Sequence, residues 1–124
     1  MSAEVAVADY YEALRRGEPL YPYFFESSET YKAAISTSYR GYDEVAEALR
    51  EQTRATTDWV VDSTDLSVVE RDDWAAFNDA VTLAWTSTDD EERHEYETRW
   101  SGTLEAHGDE WLFLELHVST ARSL

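Results

Sequence analysis

RWSGTLEAHGDEWLFLELHVST, residues 99–120, is two runs of alternating large and polar side chains joined by His107-Gly108-Asp109-Glu110. Period-two alternation marks half-buried strands, and a short glycine-containing connection marks an antiparallel hairpin. Successive strand side chains point to opposite faces. Trp111, Phe113, Glu115 and His117 are therefore expected on one face, with Leu112, Leu114, Leu116 and Val118 on the other. An acid and an imidazole in a row with two aromatic rings must be partnered, exposed at one end, or set in a pocket that uses their chemistry.

Working outward, strands are expected over 62–71, 75–87, 94–107 and 110–121, separated by DDW, TDDEER and HGDE. Connections this short favour an antiparallel meander. The front of the chain reads differently. Val7, Tyr11 and Leu14 recur at helical spacing over 2–16, and Gly17 with Pro19 supplies a stop. Tyr21, Tyr23, Phe24 and Phe25 follow as an aromatic plug in which two prolines leave room only for a short helical turn. A strand is expected over 29–37. A second helix then begins at Asp43 as N-cap, turns Val45, Leu49 and Gln52 inward, and ends near Thr57. Helices first and strands afterwards define an α+β fold, a single domain over 1–124. In 75–87 the bulky Phe77, Val81, Leu83 and Trp85 alternate with Ala76, Asn78, Ala80, Thr82 and Ala84, a small side suited to a cavity floor or a flat sheet contact.

The chain is 43% hydrophobic and 14% aromatic, which argues against disorder. Its formal net charge is −17, and of ten basic residues only Lys32 is a lysine. Such a chain is repelled by phosphate backbones and anionic membranes, so neither nucleic acid nor membrane is an expected partner. High Arg, Asp and Glu with almost no Lys resembles cytoplasmic proteins of salt-loving archaea, where molar salt screens self-repulsion to a Debye length of about 3 Å. There are no cysteines, which removes disulfides, thiolate metal sites and cysteine nucleophiles. The acidic start lacks a basic n-region, and no apolar run approaches the ~20 residues of a membrane span. A cytoplasmic location is expected. No Gly-rich phosphate loop or dinucleotide fingerprint occurs, so no cofactor is expected. His94 with Glu95 and Glu97, and the isolated His107, make no three-ligand metal pattern.

The helical front, the RGYDEV start of the second helix, and above all Arg99, Gly108, Trp111, His117 and Ser119 resemble the SnoaL-like branch of the nuclear transport factor 2-like superfamily. The resemblance covers nearly the whole chain in element order and is sharp over the last 25 or so residues. It implies a cone: a strongly curved antiparallel sheet wrapped around N-terminal helices, with a central cavity and homodimers formed through the sheets. It implies no single activity, since isomerases, cyclases, dehydratases, ligand binders and association domains share the cone. The chain departs from the pattern at Glu115, where many relatives carry a second histidine.

Candidate site residues follow. Arg99, Glu115 and His117, on neighbouring strands, read either as an anion-binding or acid–base cluster or as a structural ion pair. His117 and Asp58 are the candidate catalytic groups. Asp58, beside Trp59, is otherwise a capping or surface acid. Asp79 interrupts the bulky row of its strand and is read as an exposed acid, the alternative being an inward carboxylate. Tyr11, Tyr23, Phe25, Trp59, Trp85 and Trp100 could line an apolar pocket or simply fill the core. Together Tyr11, Trp59, Trp85, Arg99, Glu115 and His117 form the expected ligand pocket. The expected function is binding of a small apolar or aromatic molecule with a polar end. A proton-transferring isomerase, cyclase or dehydratase is the alternative, and a non-catalytic association domain the third reading.

Overall fold

The computed structural model describes residues 2–120. Helix α1, Ala3–Arg16, starts where the Ser2 hydroxyl accepts a hydrogen bond from the Val5 amide and ends at Gly17, whose φ of 69° lies in the left-handed region. That conformation is cheap for glycine and closes the last turn. Val7, Tyr10, Tyr11 and Leu14 are buried on its inner face. The aromatic segment then forms one 3₁₀ turn, Tyr21–Tyr23. The expected strand over 29–37 is instead a small hairpin: β1, Tyr31–Ala33, and β2, Ser38–Arg40, turn back on each other through 34–37. Helix α2, Tyr42–Ala55, is capped by Gly41 at a φ of 88°, and Asp43 lies one place inside, in the first turn. Val45, Ala46 and Leu49 are its buried residues.

The remaining strands are β3, Thr56–Ser63, β4, Ser67–Glu70, β5, Trp74–Ser87, β6, Arg93–His107, and β7, Glu110–Thr120. Two differences from expectation stand out. The single strand expected over 62–71 is split into β3 and β4, which pair with opposite halves of β5. The second helix ends at Ala55 because β3 begins at once with Thr56. Ala121, the last residue expected in the final strand, lies outside the described residues. The sheet runs in the order β2-β1-β7-β6-β5-β3. It is mixed and not wholly antiparallel, because β1 pairs with β7 in parallel. The β1–β2 hairpin thus adds to the edge of the sheet through β1, with β2 outermost. Both helices cover one face, where the core sits.

A bulge in β7 overturns the opening expectation about its faces. Thr103 pairs with Glu115, but the next β6 residue, Leu104, pairs with Phe113, so Leu114 is an extra residue in β7. One added residue moves every later side chain to the other face. Trp111 and Phe113 are therefore buried on the helix side together with Leu116 and Val118, while Glu115 and His117 are exposed on the outer side. Gly102 permits this: a β-carbon there would collide with the Glu115 carbonyl oxygen and stand 2.9 Å from a Phe77 ring carbon.

Candidate functional site

Between α2, the 34–37 turn and the concave side of the sheet lies a cavity of about 650 Å³. Leu14, Ile35, Leu49, Leu83 and Val118 supply aliphatic walls, and Trp59, Trp85 and Trp100 supply flat ones. The tryptophans are held in place. Trp59 and Trp85 stack with ring centroids 4.9 Å apart, and Trp59 Nε1 donates to the Thr56 hydroxyl at 2.9 Å. Trp100 Nε1 donates to Thr98 Oγ1 at 3.0 Å. The indole nitrogens of Trp59 and Trp100 are thus satisfied, and the rings face the cavity as apolar surfaces. Exposed Glu44, Glu47 and Glu51 of α2 and Ser36 and Thr37 of the turn lie at its solvent side.

Two polar groups depart from this apolar lining. Lys32, on β1, is only 6% exposed and lines the cavity. Its position is set by register: it pairs with Leu116 on β7 and with Tyr39 on β2, and Tyr39 lines the same space. Its amine has no hydrogen-bond or ion-pair partner among the described residues. No described side-chain polar atom is both sealed and unpartnered, so the amine's remaining access is through the cavity. Burial disfavours the charged form and pulls the Lys32 amine down to about 8. The second group is Tyr10, 1% exposed, wedged edge-on against Tyr23, Phe24, Trp100 and Phe113. Its hydroxyl also lacks a partner among the described residues, and the same accessibility argument turns it to the cavity it lines. Desolvation raises its pKa, so it stays a proton-bearing donor.

Of the residues expected to form the pocket, Trp59 and Trp85 line this cavity. Arg99, Glu115 and His117 do share one face, but it is the outer one: all three are exposed, on the side of the sheet away from the helices. Arg99 reaches the Thr120 carbonyl at 3.4 Å. Asp58 is exposed with a φ of 55° at the irregularity of β3, where its carbonyl accepts from Arg93 at 2.6 Å.

Asp79 corrects another expectation, being 5% exposed on the inner side of β5. It is fully engaged: Tyr11 Oη donates to it at 2.9 Å, Ser63 Oγ at 2.5 Å and the Asp65 amide at 2.9 Å. Burial, then the bond to Asp79, raises the Tyr11 pKa. Neither Asp79 nor Tyr11 lines the large cavity. The pair ties α1 to the β3–β4 turn and β5, a structural brace beneath the sheet.

Lys32 is the residue that sequence reasoning missed. The signal available was its rarity, one lysine in a chain whose other cations are arginine. Its inward direction was hidden because the strand around it is three residues long.

A mixed sheet curved around two helices, holding one large apolar cavity with a few polar groups, defines the α+β cone architecture shared by nuclear transport factor 2-like proteins. The model of the SnoaL-like domain matches residues 4–123, and the chain belongs to that family. Among solved structures it is similar to a Streptomyces avermitilis protein of the NTF2-like family provisionally named a dehydratase, with 15% identity, 97% of this chain and 94% of that one covered, and a TM-score of 0.85. It is also similar to a ketosteroid isomerase-like protein from Erwinia carotovora atroseptica, with 16% identity, 97% and 94% covered, and a TM-score of 0.78. A Thiobacillus denitrificans protein provisionally named a calcium/calmodulin-dependent protein kinase type II association domain follows, with 14% identity, 98% and 96% covered, and a TM-score of 0.77. No curated protein matches the chain in sequence. Likeness at such identities is likeness of fold.

Proposed function

We propose that the chain binds a small apolar or aromatic molecule in the cavity, with a polar acceptor that meets the Lys32 amine, the Tyr10 hydroxyl or both. One observation carries this reading: two deeply buried polar groups without partners among the described residues line a space whose walls are mostly leucine, isoleucine, valine, alanine and tryptophan, with polar side chains such as Gln52 and Thr56 and exposed glutamates beside them. Unpartnered buried groups are costly. A ligand that accepts hydrogen bonds from both would recover that cost, and its apolar body would add burial against the tryptophans. An unfilled interior of this size speaks against a domain whose only task is association.

A proton-transferring isomerase, cyclase or dehydratase is the second reading. It is favoured by the same two groups, one a base near neutrality and one a donor. It draws no support from His117 or Asp58, which are exposed, or from Asp79, which has three donors already.

The test is tryptophan fluorescence in molar salt, titrating aromatic ketones, aldehydes and phenols into the wild type and Leu49→Trp, which fills the cavity. Saturable quenching in the wild type, weakened at least tenfold by Leu49→Trp, supports binding. No saturable change with any compound refutes it.

A further inference from the structure

We propose that Lys32 anchors a ligand covalently, its amine condensing with the carbonyl carbon of an apolar or aromatic aldehyde or ketone to form an imine inside the cavity. This rests on the cavity being a ligand site and adds the class of ligand and the bond it forms.

Four observations converge on it. Lys32 is more than nine-tenths buried, lines the cavity, and its amine has no ion-pair or hydrogen-bond partner among the described residues. A lysine placed for packing or ion pairing would be partnered, and a buried unpaired charge is a liability that methionine would avoid. Second, the chain has dispensed with lysine everywhere else. Arginine serves equally for surface charge, but its guanidinium cannot give up a proton and act as a nucleophile, whereas a lysine amine can. Third, burial pulls this amine down to about 8, so the neutral fraction near pH 7 is about 300-fold that of a lysine in water. Fourth, the remaining charged groups of the lining are Glu44, Glu47 and Glu51. Glu47 and Glu51 are paired with Arg54 on the outer side, and the whole chain carries −17. That field opposes an anionic ligand and is indifferent to a neutral carbonyl compound.

The chemistry balances without oxidant or reductant. The nitrogen lone pair attacks the carbonyl carbon, the C–N bond forms, and the π pair moves to oxygen, which takes up a proton as nitrogen loses one. In the resulting carbinolamine a second proton reaches the hydroxyl, the C–O bond breaks, water leaves, the nitrogen lone pair closes the C=N bond, and the nitrogen gives up its remaining proton to leave the neutral imine. The Tyr10 hydroxyl, on the same cavity, is one protein donor for the developing oxygen, and that of Tyr39, the cross-strand neighbour of Lys32, is another.

The experiment uses the full chain in molar salt with 2-naphthaldehyde and sodium cyanoborohydride, which reduces an imine to a stable amine. Besides the α-amino group, Lys32 is the only primary amine, so intact mass and peptide mapping assign the adduct without ambiguity. The expected result is modification of Lys32 that saturates with aldehyde concentration and runs at least tenfold faster than in the urea-unfolded chain at pH 7. Lys32→Arg and Lys32→Met are expected to lose that adduct while still quenching with the aldehyde. Saturable quenching in the wild type without modification of Lys32 overturns the imine and leaves the binding reading standing. Modification no faster than in urea also overturns it. Neither quenching nor modification overturns both.

Discussion

Replacing Lys32 by methionine should make the protein more stable at neutral pH, and the gain should vanish in alkali. An unfolded lysine titrates near 10.5, whereas the buried amine lies at about 8. The folded state therefore binds the proton less tightly, and between these values the unfolded chain holds more protons than the folded one. Stability must rise with pH across that window. Below pH 8 the full penalty applies, about 3 kcal/mol from 1.36 kcal/mol per pKa unit. Raising the pH from 7 to 10 should recover about 2.5 kcal/mol of it in the wild type. Glu44, Glu47 and Glu51 from α2, Tyr10 from α1 and Tyr39 from β2 also face the cavity, but they are present in both proteins and cancel in the difference. The assay is urea unfolding of wild type and Lys32→Met in molar salt at pH 7, 8, 9 and 10. Lys32→Met should be more stable by about 3 kcal/mol at pH 7, less the small packing change, and the gap should close by most of that at pH 10. A gap that is absent at pH 7, or constant with pH, would mean that the amine is solvated or paired, and the reasoning about the cavity would fall with it.

Three further outcomes follow from the geometry. Tyr11→Phe removes one of three donors to buried Asp79, and urea unfolding should show a loss of about 1–2 kcal/mol; a loss under a few tenths would mean that the brace is not closed. Gly102→Ala should destabilise by about 1–3 kcal/mol, because its methyl group meets the Glu115 carbonyl oxygen and the Phe77 ring. Thermal unfolding unchanged from wild type would place the bulge elsewhere. Arg99→Ala and His117→Ala, both on the outer face, should leave ligand quenching of the cavity tryptophans within twofold of wild type, and a tenfold loss in either would return the site to that face.

The two halves of the chain were not equally legible. The alternation in 75–87 and 94–107 yields strands β5 and β6 almost to the residue, and the spacing of Val7, Tyr11 and Leu14 yields α1. These are long elements in which many side chains repeat one period, so local preference and burial agree. The hairpin of β1 and β2 was read as one strand, since three-residue strands carry no period to detect. Asp79 was read outward because a lone carboxylate in an apolar row has no visible partner in sequence. Its three donors come from Tyr11, Ser63 and the Asp65 amide, distant along the chain.

What the sequence by itself determined was the α+β class, the family resemblance, the acidic character and the division of β5 into a bulky and a small side. What only the tertiary structure decided was which side of the sheet each polar residue faces. One extra residue at Leu114 reverses the phase of β7, carrying Glu115 and His117 out of the interior they were expected to share with Trp111 and Phe113. Lys32 comes inward because β1 docks in parallel on β7, a pairing between segments more than eighty residues apart that no local pattern encodes. Side-chain direction depends on register, and register depends on contacts between strands.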